Sequence, residues 1–145
     1  MKMQDTKIQY IDANVFLRFF VLDEKNPHLS KAALRVFSSL EKGRLTVQTN
    51  ILVVAEVVHI LESYYKLENK EIFMKLLPIL NLPNLILPGK EKVLSALQAV
   101  ADYNVDFEDA YTYFDMLSNE IREIITFDVR HFERLEGITV VQVSY

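Results

Sequence analysis

Apolar positions recur along this chain in two rhythms. Short apolar runs at Ile8 to Ile11, Leu45 to Thr49, Leu85 to Leu87, Ile124 to Phe127 and Ile138 to Val143 read as strands. Between them the apolar positions fall at helical spacing. The first helix is predicted from Asn14 to Leu22, with Val15, Phe16, Phe19 and Phe20 inward. Asn26 and Pro27 then break the pattern as cap and first helical residue. Leu29, Ala32, Ala33, Val36, Phe37 and Leu40 line the inner face of the next helix, and Gly43 ends it. Asn50 caps a long helix reaching about Lys66, followed by one from about Lys70 to Leu80. Beyond Pro88 and Gly89, Glu91 to Tyr103 is helical, with Val93, Leu94, Leu97, Val100 and Ala101 inward. Phe107 to Leu117 is helical again.

Strands separated by helices pair in parallel, with helices on both faces. The expected architecture is a three-layer α/β/α fold, one domain over residues 1–145, with a central, mainly parallel sheet of about five strands. In such sheets reactive groups gather beyond the carboxyl ends of the strands.

Composition narrows the chemistry. Half of the 145 residues are hydrophobic, enough for a core, and cysteine is absent. Disulfides, zinc–thiolate sites and thiol nucleophiles are therefore excluded. The net charge of −4 argues against a broad basic nucleic-acid surface. It allows a nucleic acid gripped locally through metal ions. No segment reaches the length of a membrane span. The start, Met1 to Lys7, is polar and precedes only a short apolar run, so no signal peptide is expected and the location is read as cytoplasmic. Neither a Walker loop, a Gly-rich dinucleotide motif nor a Gly-x-Ser-x-Gly elbow is present, and the three histidines lack zinc spacing.

Four acids stand where the pattern turns a corner. Asp12 closes the first strand run, and its ordinary role is to cap the next helix. Glu56 sits among Val53, Val54, Val57, Val58 and Ile60, where a carboxylate is expected to be partly enclosed. It also shares helical spacing with His59, Ser63 and Lys66, which fits a solvated stripe. Asp106 and Asp109 resemble a capping box, a structural role compatible with Asp106 as cap and Asp109 as ligand. Asp115 faces elsewhere and reads as surface. Asp128 follows the fourth strand run, with Thr126 placed to bond it or a metal-bound water. Asn14 is a second supporting polar residue. Arg130, His131 and Arg134 lie close by as phosphate contacts, Arg134 reading better as part of a solvated turn. Carboxylates gathered in one nest need a cation, and a hard divalent metal is the natural one.

The motifs in order are Tyr10-Ile11-Asp12-Ala13-Asn14-Val15-Phe16-Leu17-Arg18, Val54-Ala55-Glu56-Val57-Val58, Val105-Asp106-Phe107-Glu108-Asp109-Ala110 and Ile125-Thr126-Phe127-Asp128-Val129-Arg130-His131-Phe132. Together they resemble the PIN domain, and within it the VapC-type ribonuclease toxins. The resemblance implies that Asp12, Glu56, Asp109 and Asp128 bind one or two Mg²⁺ or Mn²⁺ ions, with Asn14, Thr126 and Asp106 in support and Arg18, Arg130 and His131 toward the substrate. It implies hydrolysis of single-stranded or loop RNA, a small VapB-type antitoxin as partner, and a homodimer. A housekeeping RNA-processing nuclease and a non-catalytic PIN scaffold are the alternatives. A haloacid-dehalogenase-type phosphatase needs a second Asp where Asn14 stands, and a receiver domain needs an Asp after the third strand, where none occurs.

Two further expectations follow. Ile51, Val54, Val58, Leu61 and Tyr65 exceed what one core-facing stripe needs and predict a dimer interface. Mutual repulsion of the acids predicts that Asp109→Asn or Asp128→Asn raises the melting temperature of the metal-free protein.

Overall fold

The structure, a computed structural model, describes residues 7–144. The polar start Met1 to Thr6, on which the signal-peptide expectation rests, lies outside the described residues, as does Tyr145. The elements run β1 (Ile8–Tyr10), α1 (Ala13–Phe20), α2 (Pro27–Glu41), β2 (Thr46–Gln48), α3 (Ile51–Ser63), α4 (Asn69–Leu80), β3 (Leu85–Ile86), α5 (Lys90–Tyr103), α6 (Phe107–Ser118), β4 (Glu123–Ile125), a 3-10 turn (Phe132–Arg134) and β5 (Thr139–Val141).

The fold class is α/β, a parallel sheet flanked by helices, as the alternation of patterns predicts. The single five-stranded sheet is corrected. β1, β2 and β3 form one parallel sheet in that order, and β4 with β5 forms a second, also parallel. Among the described residues no ladder joins β1 to β4. Ile8 and Tyr10 on β1 and Ile125 on β4 accordingly stay more than half exposed. The β4–β5 pair is fastened instead by side chains. Phe132 and Leu135 enter the core, and the 3-10 turn packs on β5.

Local chemistry sets the helix ends. The Asn50 side chain accepts the Val53 amide at 3.0 Å and starts α3. Asn104, in left-handed conformation at φ 54°, stops α5 and turns the chain into α6. Thr49 is fully buried between the strands; its hydroxyl donates to the Ile11 carbonyl at 3.3 Å and its amide to the Ile86 carbonyl at 2.9 Å. This buried cross-tie fixes the chain just beyond the ends of β1, β2 and β3.

Phe16, Leu40, Leu61, Ile72, Leu76, Leu80, Leu85 and Leu97 fill the core. α1 packs on α2 and α3, α4 on α5, and α5 along α6. Leu17 proves buried although it lies outside the predicted inner stripe of α1, while Leu29, predicted inward, sits exposed in the first turn of α2. The apolar surplus on α3 is also corrected. Val54, Val58 and Leu61 are within 2 % of complete burial, so they serve the core, and of the five only Tyr65 is exposed. α3 meets α1, α4 and α6, which requires more than one apolar face.

Candidate functional site

The four predicted acids have different surroundings. Asp12 stands between β1 and α1 as the N-cap, its carboxylate accepting the Ala13 amide at 2.8 Å. The capping role predicted as its alternative is therefore realised. Glu56 is exposed on α3 rather than enclosed, because Val54, Val57 and Val58 turn inward and leave it on the outer face. Asp128 is exposed beyond β4, which ends at Ile125. The strand stops early because the Thr126 hydroxyl accepts the Asp128 amide at 3.0 Å and bends the chain. Thr126 thus bonds the Asp128 backbone, not its carboxylate.

Asp109, in the first turn of α6, is the acid with side-chain company. Its Oδ2 lies 2.9 Å from His131 Nδ1, and Asp106 Oδ2 lies 3.4 Å from the same nitrogen. Neither Asp106, the N-cap of α6 by backbone position, nor Asp109 makes the side-chain bonds of a capping box. Both carboxylates turn to the histidine instead. Asp106, Asp109 and His131 each offer a ligand atom within 4.8 Å of the others. Among the described residues no other trio of acids or histidines is this close, so no three of Asp12, Glu56, Asp109 and Asp128 meet at that distance.

The donor set fits a divalent ion. Carboxylate oxygens suit Mg²⁺ or Mn²⁺, and metal–oxygen bonds of about 2.0–2.6 Å let atoms this far apart share one cation. Asp106 also borders a cavity of about 210 Å³ with His59, Glu62 and Ser63 of α3 and Glu108 of α6.

The predicted substrate contacts divide. Arg130 is exposed and has no ion-pair partner among the described residues. Arg18 is engaged by Asp23. Burial would raise the Asp23 carboxyl, but the Asn26 and Lys25 amides and the Arg18 guanidinium outweigh it and hold the carboxyl below its ordinary range. Asn14 and Arg18 line a cavity of about 670 Å³ together with Tyr64 and Tyr65. His131 faces the two carboxylates, and Arg134 is exposed, as expected of a solvated turn, while donating to the Asn104 carbonyl. The sequence offered no sign of the Tyr113 hydroxyl, which donates to the Glu136 carbonyl. Burial, then the charge of Glu136, raises the phenol of Tyr113. The signal for the His131 cluster was visible only as parts: two acids three apart at a helix start, and a histidine in the turn after Asp128.

A parallel α/β fold with acids after its strands and at a helix start defines a class, an α/β protein with an acidic candidate site. The family model of the PIN domain matches residues 9–138, and the chain belongs to that family. PIN domains are generally nucleases, and PIN nucleases typically use divalent metals. No match is found among curated proteins. Among the described residues no helix is long and apolar enough to cross a membrane.

Proposed function

We propose that this chain is a metal-dependent endoribonuclease that hydrolyses RNA phosphodiester bonds, acting as the toxin of a toxin–antitoxin pair. One observation carries the reading. In a PIN-family chain, Asp109 leaves the helix cap and is held by His131, with the Asp106 carboxylate beside it, two carboxylates suited to a hard cation. Asp12, Glu56, Asp109 and Asp128 are the proposed holders of one or two Mg²⁺ or Mn²⁺ ions, with Asn14, Thr126 and Asp106 in support. A bound divalent ion supplies an acidified water and neutralises phosphate charge. The chain supplies the rest. Asp109 accepts His131 through Oδ2, which leaves Oδ1 for the ion. Thr126 sets the backbone at Asp128. The exposed Arg130 offers its guanidinium to phosphate. Exposed Tyr64, on the same cavity as Arg18, offers a face for an unstacked base.

A small VapB-type antitoxin, a homodimer and a cytoplasmic location complete the proposal. Sedimentation as a monomer at tens of micromolar would remove the dimer from it. For the activity, the test is cleavage of an RNA with exposed loops, with and without Mg²⁺ or Mn²⁺. Cleavage that needs the metal and leaves 5′-phosphate ends is expected. Cleavage that persists in chelator, or ends bearing 2′,3′-cyclic phosphate, would overturn the reading, since the cyclic product belongs to attack by the RNA's own 2′-hydroxyl.

A further inference from the structure

We infer that His131 is a positioning residue: its Nδ1–H holds the Asp109 carboxylate and ties the segment that carries Asp128 to the first turn of α6. The inference rests on the reading of Asp109 as a cation ligand.

Three observations support it. The first is enclosure. The His131 side chain is 14 % exposed, against 26 % for Asp109 and 55 % for Asp106, so the imidazole is the most sheltered member of the trio. The second is the direction of the contact. Nδ1 lies 2.9 Å from Asp109 Oδ2 and 3.4 Å from Asp106 Oδ2, and two carboxylates facing one ring nitrogen assign the proton to that nitrogen. The Asp106 amide, also 3.4 Å away, then makes no true bond to it. A carboxylate held in this way through one oxygen keeps a fixed orientation for its other oxygen, as the partners of metal-binding groups commonly arrange.

The third is where His131 stands. It follows Asp128 by three residues and begins a segment clamped at several points. Arg134 donates to the Asn104 carbonyl at the corner between α5 and α6. Tyr113 of α6 donates to the Glu136 carbonyl. Phe132 and Leu135 are 5 % exposed and anchor the segment in the core. Within this set of ties His131 alone ends on a candidate ligand. Two acids far apart in sequence, Asp109 and Asp128, thereby become mechanically linked through one imidazole.

Asparagine and glutamine separate this role from its rivals. In His131→Asn the amide N–H falls near the place of Nδ1–H; in His131→Gln it falls near Nε2. Mn²⁺ titration by calorimetry compares the wild type, Asp109→Asn, His131→Asn and His131→Gln, with melting in chelator as a check on folding. The expected result is Mn²⁺ affinity within about threefold of wild type for His131→Asn, and a loss of about 10-fold or more for His131→Gln, the range seen when an outer partner of a metal ligand is removed. RNA cleavage should fall in kcat for His131→Gln with KM little changed, because the loss lies in positioning rather than in substrate binding.

Retention by Gln with loss in Asn would make His131 a ligand or phosphate contact through Nε2 and overturn the inference. Equal losses in both, or no loss in either, would overturn it as well. Wild-type Mn²⁺ affinity in Asp109→Asn would instead overturn the ligand reading of Asp109, and the inference with it, through a different variant. A long-range ¹H–¹⁵N spectrum of the wild type gives a test that needs no substitution. A protonated Nδ1 on His131 is expected, and an unprotonated Nδ1 refutes the assignment.

Discussion

Asp109→Asn and Asp128→Asn remove the same charge from different settings, and metal-free stability should separate them. From sequence alone both changes relieve repulsion and both should raise the melting temperature. The structure reverses the expectation for Asp109. Its Oδ2 accepts from His131 at 2.9 Å, and its side chain is 26 % exposed. Asparagine keeps an oxygen acceptor there but loses its charge. A hydrogen bond to a charged group contributes about 1.5–3 kcal/mol and a neutral one about 1 kcal/mol. Partial exposure and relief of repulsion from Asp106 reduce the difference, which leaves a net loss of roughly 0.5–1 kcal/mol. For a chain of this size that lowers the melting temperature by about 2–4 °C. Asp128 is exposed, and its bonds to Thr126 come from the backbone. Asp128→Asn should therefore stay within about 0.5 kcal/mol of wild type. The assay is thermal unfolding followed by circular dichroism at neutral pH, first in chelator and then with Mg²⁺. At 100 times the dissociation constant a bound ion stabilises the folded state by about 2.7 kcal/mol, and both variants should gain less than the wild type. If Asp109→Asn melts at or above wild type in chelator, the His131–Asp109 bond is not a stabilising contact and the reasoning fails.

Other outcomes follow from single contacts. Thr126→Val removes the acceptor of the Asp128 amide at a cost of about 1 kcal/mol and should depress RNA cleavage, while Thr126→Ser should keep both; equal cleavage in the two would separate this turn from activity. Tyr113→Phe loses the bond to Glu136 and should change the alkaline limb of stability. The phenol is raised above its ordinary 10.0, first by burial, so its contribution is complete below pH 10 and is lost as pH rises through the higher folded value. Chemical denaturation from pH 9 upward should show a shallower fall for Tyr113→Phe, and an identical fall would refute the assignment. Phe16→Ala empties a site 1 % exposed, stacked on Phe20 and tilted against Phe37, and should cost about 3–5 kcal/mol in urea unfolding.

The helices were legible because each repeats its apolar period several times and carries a chemical stop. Asn50 before α3, Pro27 at the start of α2 and the break after Tyr103 all fall where their residue types require. The division of the sheet was not legible. Strands of two or three residues hold one alternation at most, too few to say which neighbour each takes. The exposure of Ile125 shows the consequence: an apolar residue in a strand run reads as buried until pairing decides otherwise. In the site, residue types could be read but partners could not. His131 meets Asp109 across 22 positions, a distance that only the docking of the 3-10 turn closes. The Asp106–Asp109 spacing suits a capping box equally well, and what selects the other use is the histidine delivered from outside the helix.

That selection bears on how the proposed acidic site would survive without its ion. The four acids divide into two that are tied and two that are not. Asp12 holds the Ala13 amide and Asp109 holds His131. The carboxylates of Glu56 and Asp128 are exposed and have no hydrogen bond or ion pair among the described residues. Four carboxylates locked together would repel strongly with no cation between them. If the four share the proposed site, two locked and two free would let the repulsion relax into solvent, at the expense of ordering the free pair when an ion is bound. The tied acids rest on structure that metal does not create, a helix start for Asp12 and the core-anchored 3-10 turn for Asp109. On this division, loss of Glu56 or Asp128 should weaken metal binding with little effect on the empty protein, whereas loss of Asp12 or Asp109 should weaken both.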